Sequence, residues 1–487
     1  MTYKTLINKI DMASLQVISG IGKINRIKLL NNEKIRVIFL FQSSSFWPSW
    51  DSVWELMSRN NRFEVKMVLC DIPVKEKTQF ENSAQFLSDS DIDYTHINDF
   101  NIDDYKPHII FLHTPYDGHR PRSLYSKNLC IKGYRIIYIP YGIEISDIEK
   151  ARSDHFHGGV TNLAWRIYTF SPDIIPYYKM FSLTSGEMVK AFGHPKFDSY
   201  KKPPLEMPQE IKDQAKGRPI LLMKVHFPKK VAGKFITPSI SIYKKFLSEI
   251  SKYNNIFCIF MPHPKFYEQL GKFESVHKFQ ALIKNAHNVI EYTGDDYRPV
   301  LMNADFHVID RSALMIEAGV TGRPVLYVEA NPEEKMTLPV EQIISKYYRA
   351  KNADDILRYV DQVAMMGEDP LKEERMEAVS AILPFEKSTA ADLIVADIIN
   401  SLDNEQQDDG DQVFESIREY ADEIFMNDEI IAAIANHHKN SIKNHLSYRL
   451  GQEIVQAAKA PKQLFSLPKR MLSAYRDFKN NIPFNSE

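Results

Sequence analysis

The sequence lacks a glycine-rich phosphate loop: neither G-x-G-x-x-G nor G-x-x-x-x-G-K-[ST] occurs, and G-x-S-x-G, H-E-x-x-H and C-x-x-C are missing too. These absences argue against dinucleotide oxidoreductases, P-loop NTPases, serine hydrolases of the nucleophile-elbow type and zinc enzymes. Cysteine is scarce. Cys70, Cys130 and Cys258 are odd in number and have no metal-ligand spacing, which predicts reduced, buried thiols in a cytosolic setting. Charge of one sign is also lacking: 61 basic against 63 acidic residues leave a formal net charge of −2, so no nucleic-acid partner is expected. No apolar run approaches the roughly 20 residues of a membrane-spanning helix. The first thirty residues interleave Lys4, Lys9, Asp11, Lys23, Arg26 and Lys28 with apolar positions instead of forming a signal-peptide core. The expectation is a chain that stays on the side of the membrane where it is made.

At 487 residues the chain exceeds the roughly 250–300 at which one hydrophobic core stops growing, which predicts two domains plus appendages. Residues 1–34 form an arm in which 4–30 could make a weak amphipathic helix, either packed on the first domain or touching a membrane. Short Val/Ile-rich runs at 35–41, 63–69, 94–97, 108–112, 135–139 and 166–170 alternate with polar helical stretches and define a first domain over 35–195. Near-continuous apolar runs of that kind read as parallel strands buried on both faces. A linker carrying Pro203, Pro204 and Pro208 spans 196–217. A second series at 219–225, 255–261, 288–292, 305–309 and 324–328 defines a second doubly wound domain over 218–402, closed by an apolar helix at Ala390–Leu402. Residues 403–412 are an acidic linker. The tail 413–487 ends in a stretch where Leu464, Leu467, Pro468, Met471, Leu472, Tyr475 and Phe478 recur at steps of three and four among Lys462, Lys469, Arg470, Arg476 and Lys479. Such a basic amphipathic helix suits either an anionic membrane surface or a place on the protein itself.

In open α/β sheets ligands bind outside the carboxyl ends of the strands, so the polar residues at those ends are the candidates. The first domain offers Asp51 beyond strand one, His113 with His119 and Arg120 in H-T-P-Y-D-G-H-R, and Tyr141, Gly142 and Glu144 in P-Y-G-I-E. These aromatic and acid–base groups suit an acceptor hydroxyl that must be oriented and deprotonated. The second domain offers Lys224, His226, His263 and Lys265, followed by Ala304–Glu329, a strand–turn–helix–strand unit with Asp310, Arg311, Ser312 and Glu317 at its turn. Cations beside a helix start suit the diphosphate of a nucleotide. Each residue also has a plainer role open to it: His263 as a strand terminator, Arg311 as the ion-pair partner of Asp310 or Glu317, and His113 as a satisfied sheet-edge histidine.

Taken in order, F-G-H-P-K-F-D (192–198), R-P-I-L-L-M-K-V-H (218–226), M-P-H-P (261–264), D-D-Y-R-P-V-L-M-N-A-D-F-H-V-I-D-R-S-A-L-M-I-E (295–317) and G-R-P-V-L-Y (322–327) resemble the CDP-glycerol glycerophosphotransferase family of teichoic-acid and capsule polymerases. The resemblance spans about 105–330. It implies the GT-B fold, two Rossmann-like domains facing a cleft, and transfer of glycerol phosphate from CDP-glycerol to a hydroxyl of a lipid-linked or membrane-associated glycan. It further implies a cytoplasmic enzyme peripheral to the inner face of the cell membrane. On this resemblance His263 contacts the donor diphosphate, and Asp310, Arg311, Ser312 and Ala313 form the phosphate-holding turn. Two positions depart from the family pattern. Tyr141 stands where the family has a histidine that is a candidate base, and Ala313 stands where it has a second serine. His113 is the substitute base candidate, with Asp51 and His119 behind it. No cofactor is implied, and a loosely held Mg²⁺ stays open. A glycosyltransferase using a nucleotide sugar and an inactive glycan- or partner-binding module are the competing expectations.

Overall fold

The computed structural model describes residues 3–72, 83–182, 186–201, 205–231, 234–294, 296–330, 335–382, 388–405, 450, 452–453 and 466–480. The chain forms two compact units, one over Ile18–Val413 and one combining Met1–Val17 with Phe414–Glu487.

The larger unit contains two all-parallel sheets. The first lobe has seven strands: β1 (Ile35–Phe41), β2 (Phe63–Leu69), β3 (Tyr94–His96), β4 (Ile109–Leu112), β5 (Arg135–Tyr138), β6 (Arg166–Thr169) and β7 (Val189–Ala191). Their order is 3-2-1-4-5-6-7. The second lobe has six: β8 (Ile220–Val225), β9 (Phe257–Pro262), β10 (Val289–Glu291), β11 (Phe306–Ile309), β12 (Val325–Val328) and β13 (Tyr348–Ala350). In space these run 10-9-8-11-12-13. Both sheets are doubly wound, as the apolar runs predict, and β1, β4, β9 and β11 are buried along nearly their whole length. Aromatic packing fills the first core, where Phe39 stacks on Phe111 at 4.2 Å and Trp50 meets Phe39 edge-on. Two short edge strands, V-K-A and Y-R-A, were absent from the sequence reading. Three residues with a charge in the middle carry almost no strand signal.

The helix Ala390–Glu405 lies elsewhere than expected. Although it follows the second lobe in sequence, its Ala391, Ile394, Val395, Ile398 and Leu402 are buried in the core of the first. Burying the four larger of these, Ile394, Val395, Ile398 and Leu402, is worth roughly 1.5–3 kcal/mol each, well above the ~0–1 kcal/mol of an exposed ion pair. The apolar stripe therefore decides where the helix goes. Polar contacts fix its register: Glu405 accepts from Arg26, Arg135 and Trp165 Nε1, and Asp397 from Arg166 and Tyr168.

The arm helix spans Tyr3–Ile24. Its end packs on the first lobe so closely that a Cβ on Gly22 would collide with Cys130 Sγ. All three cysteines are buried and unpaired. Among the described residues no helix is long and apolar enough to cross a membrane.

Candidate functional site

Sheet order selects among the strand ends. In each lobe the winding reverses between two neighbouring strands, β1/β4 in the first and β8/β11 in the second. A crevice opens beyond their carboxyl ends at such a point.

In the second lobe, Lys224 pairs in register with Ile309 of β11 and Met261 of β9, so the residues that follow these three strands converge. Lys224 is 8% exposed, and burial pushes its pKa down to about 8 against the pull of Asp310. The rings of His226 and His263 lie 5.0 Å apart, with Phe227 4.8 Å from His263. His263 Nδ1 accepts the amide N–H of Lys265 at 3.1 Å. Burial, together with the positive potential of His226, Lys224, Lys265 and Lys229, pushes its pKa down to about 2. A neutral imidazole whose Nδ1 accepts must carry its proton on Nε2, so His263 is a hydrogen-bond donor, not a base. His226 has the other tautomer: its Nδ1 donates to its neighbour's carbonyl, Phe227 O, at 2.9 Å. Burial and then Arg311 hold its pKa near 3.

The turn after β11 differs in detail from its sequence reading. Asp310 is buried; its carboxylate accepts from His226 N–H at 2.8 Å and from Tyr243 OH at 2.6 Å and so orders the wall behind the crevice instead of facing it. Burial lifts its pKa to about 6, partly offset by those bonds. The helix begins at Leu314. Its first amides are already bonded, Leu314 N–H to Ser312 Oγ, Met315 N–H to Ser312 O and Ile316 N–H to Ala313 O. Anion binding here falls chiefly to side chains. Arg311 is nearly buried; Asp310 and Tyr327 lie within reach of its charge, which also helps to depress the pKa of His155 in the first lobe. Glu317 is fully buried: it accepts from Tyr297 OH at 2.6 Å and pairs with Lys196 at 3.5 Å.

In the first lobe, His113 lies under an aromatic lid, stacked on Trp50 at 3.9 Å with Phe46 edge-on. It is fully buried, and burial pushes its pKa down to about 3. Its Nδ1 accepts from Gln42 N–H at 3.1 Å, which puts the proton on Nε2 and leaves no lone pair to act as a base. Asp51 forms an ion pair with Arg298 of the second lobe. The His119 carbonyl accepts from Gln42 Nε2 at 2.6 Å, and its ring leans on Tyr116. Tyr141 packs on Phe46 at 4.5 Å and shares a hydrogen bond with Tyr116, while a Cβ on Gly142 would meet only open space.

One histidine escaped the sequence reading. His155, half-buried on the helix Glu149–Phe156, has its pKa pushed down to about 4 by burial; neighbouring Asp154 opposes the shift, and Arg311 and Lys229 of the second lobe add to it. The repeated histidines of D-H-F-H were the available signal.

Beside the Asp51–Arg298 pair, three sets of contacts among the described residues lie at the seam between the lobes. His194-Pro195-Lys196 is fully buried: His194 Nε2 donates to Pro140 O at 2.7 Å, and Lys196 reaches Glu317. Two residues on, Asp198 accepts the amides of Ala390 and Ala391 and the hydroxyl of Ser52. Lys335–Thr337 forms the third, with Asp147 N–H donating to Lys335 O at 2.8 Å and Thr337 N–H to Ile145 O at 3.0 Å. Behind that seam lies Glu144, whose pKa burial raises to about 7 despite bonds from Thr169 and Tyr178. Among the described residues no group of three or more His, Cys, Asp or Glu could hold a metal ion.

No protein-family model matches the sequence, and no curated protein does. Solved structures do match. The Staphylococcus aureus MnaA–UDP co-structure superposes with a TM-score of 0.54 at 13% identity, covering 76% of this chain and 97% of the other. The UDP-GlcNAc 2-epimerase of Neisseria meningitidis bound to UDP-GlcNAc gives 0.52 at 14%, covering 75% and 100%. A putative UDP-N-acetylglucosamine 2-epimerase from Listeria monocytogenes gives 0.55 at 13%, covering 76% and 98%. At such identities the likeness is one of fold: the chain has the GT-B fold, two Rossmann-like lobes facing a cleft.

Proposed function

We propose that this chain is a nucleotide-diphosphate-dependent transferase that moves glycerol phosphate from CDP-glycerol to a hydroxyl of a membrane-associated bacterial surface glycan. The observation that carries the reading is the convergence of Lys224, His226, His263 and Arg311 where the second sheet reverses its winding. Two fixed cations and a neutral imidazole presenting Nε2–H match a diphosphate, which needs charge and directed donors together. The CDP-glycerol assignment within that class is supported by the ordered motifs from Phe192 to Tyr327.

The acceptor oxygen attacks the glycerol-bearing phosphorus, forming a P–O bond as the bond to the CMP phosphate breaks. CMP departs with the bonding pair, and the acceptor proton passes to a base in the first lobe. His155 suits that role better than His113, because it is half-buried, whereas His113 is fully buried with its Nδ1 already accepting the Gln42 N–H. As charge builds on the leaving phosphate, Arg311, Lys224 and His263 stabilise it, and preorganised donors of this kind are worth a few kcal/mol each.

A second reading, glycosyl transfer from a nucleotide sugar, is favoured by one observation: two solved structures of similar fold carry UDP or UDP-GlcNAc. The same wall would hold the diphosphate, and the acceptor would attack the anomeric carbon. Thermal unfolding in the presence of CDP-glycerol and of UDP-, GDP- and CMP-linked sugars separates the two. Stabilisation by CDP-glycerol with release of CMP on adding acceptor is the expected result, and stabilisation by a nucleotide sugar alone moves the assignment to the second reading. No response to any donor overturns both. With the cognate donor, His155→Ala should lower turnover by roughly 10²–10⁴ while leaving donor binding intact. Near-normal turnover in that variant removes His155 as the base.

A further inference from the structure

The helix Leu467–Asn480 in the smaller unit presents an apolar face that is left open. At 3.6 residues per turn, Met471, Leu472, Ala474 and Tyr475 share one side, while Lys469, Ser473 and Arg476 fall on the other. Leu472 is 50% and Tyr475 47% exposed, and none of the helix's described side chains is buried. The contrast with Ala390–Glu405 is informative, because that helix loses its apolar stripe completely into a protein core. The surroundings are also charged in one sense: residues 437–487 carry nine Lys or Arg against three Asp or Glu, in a chain whose net charge is −2. Glu453 is engaged by Arg470.

We propose that this helix docks the protein on an anionic lipid bilayer, lying in the interface with Leu472 and Tyr475 toward the acyl chains and Lys469 and Arg476 at the headgroups. An apolar stripe flanked by bases is the composition that binds such surfaces, through buried area and electrostatic attraction acting together. Each base near an anionic leaflet contributes about 1 kcal/mol, roughly fivefold in partitioning. Vesicle binding reads this docking out directly, whichever donor the cleft takes.

The test is co-sedimentation of the full-length protein with phosphatidylcholine vesicles containing about a third phosphatidylglycerol, against pure phosphatidylcholine. The expected result is binding to the anionic vesicles only, weakened by high salt. Leu472→Glu with Tyr475→Glu, and separately Lys469→Glu with Arg476→Glu, should each lower partitioning by roughly tenfold or more. Because these side chains are exposed, thermal stability and donor-induced stabilisation should not change. Absence of binding, equal binding to neutral vesicles, or either double variant sedimenting like the parent overturns the proposal. Self-association abolished by Leu472→Glu with Tyr475→Glu, without vesicle binding, would reassign the face to a protein partner.

Discussion

Two stretches of this chain, His194-Pro195-Lys196-Phe197 and His263-Pro264-Lys265-Phe266, have the same four residues and the same local bonds. In each, the histidine Nδ1 accepts the lysine N–H two residues on, at 3.2 and 3.1 Å, and its carbonyl accepts the phenylalanine N–H, at 2.9 and 2.7 Å. Each proton is thereby fixed on Nε2. What differs is the surroundings. His194 Nε2–H is used up on Pro140 O inside the seam between the lobes, and Lys196 is committed to buried Glu317. His263 stands half-buried at the end of β9 beside Lys224 and His226, and among the described residues its Nε2 has no hydrogen-bond partner. One turn is a structural lock, and the other presents the same donor to a ligand.

The largest effect that would test this contrast is expected at the lock. Lys196→Met leaves Glu317 buried without its cation, and breaking one side of such a pair costs about 3–5 kcal/mol. Chemical denaturation measures it, and a loss below about 1 kcal/mol would show that Lys196 does not tie the lobes together. At the other turn the expectation is reversed. His263→Ala should hardly change the unfolding free energy but should weaken donor binding roughly tenfold or more, the worth of a hydrogen bond to a charged group. Titration of donor into the variant checks this, and unchanged affinity would remove His263 from the diphosphate site. The smallest effect concerns pH. Burial depresses Lys224 to about 8, so its charge is present below that pH and is lost above it. Donor affinity should therefore fall as pH rises through about 8, and a flat profile from pH 7 to 9 would show that the ammonium does not contribute.

Much of the fold was legible. Apolar runs such as I-R-V-I-F-L-F and I-F-C-I-F-M lie where β1 and β9 lie, and the turn after Ile309 does introduce a helix. The site was only partly legible. Lys224, His226, His263 and Arg311 were singled out because they follow strands, and the structure brings them together. Asp51, Asp310 and Glu317 were singled out for the same reason, yet each is engaged by the protein itself, by Arg298, Tyr243 and Lys196. Nothing local in the chain records which cation will meet which acid. His155 escaped notice because its helix lacks an apolar period, and the repeated H-P-K-F escaped because identical letters do not reveal opposite burial.

By itself, the sequence determined the alternation of strands and helices and the polar character of the strand ends, since both depend on residues a few positions apart and on the periods of 2 and 3.6. Only the tertiary structure decided the rest: which strands flank the reversal of winding, which lobe receives the helix Ala390–Glu405, and which of two equivalent histidines keeps a donor available. Those outcomes depend on partners far away in the chain, and burial and charge at these positions come from the partners.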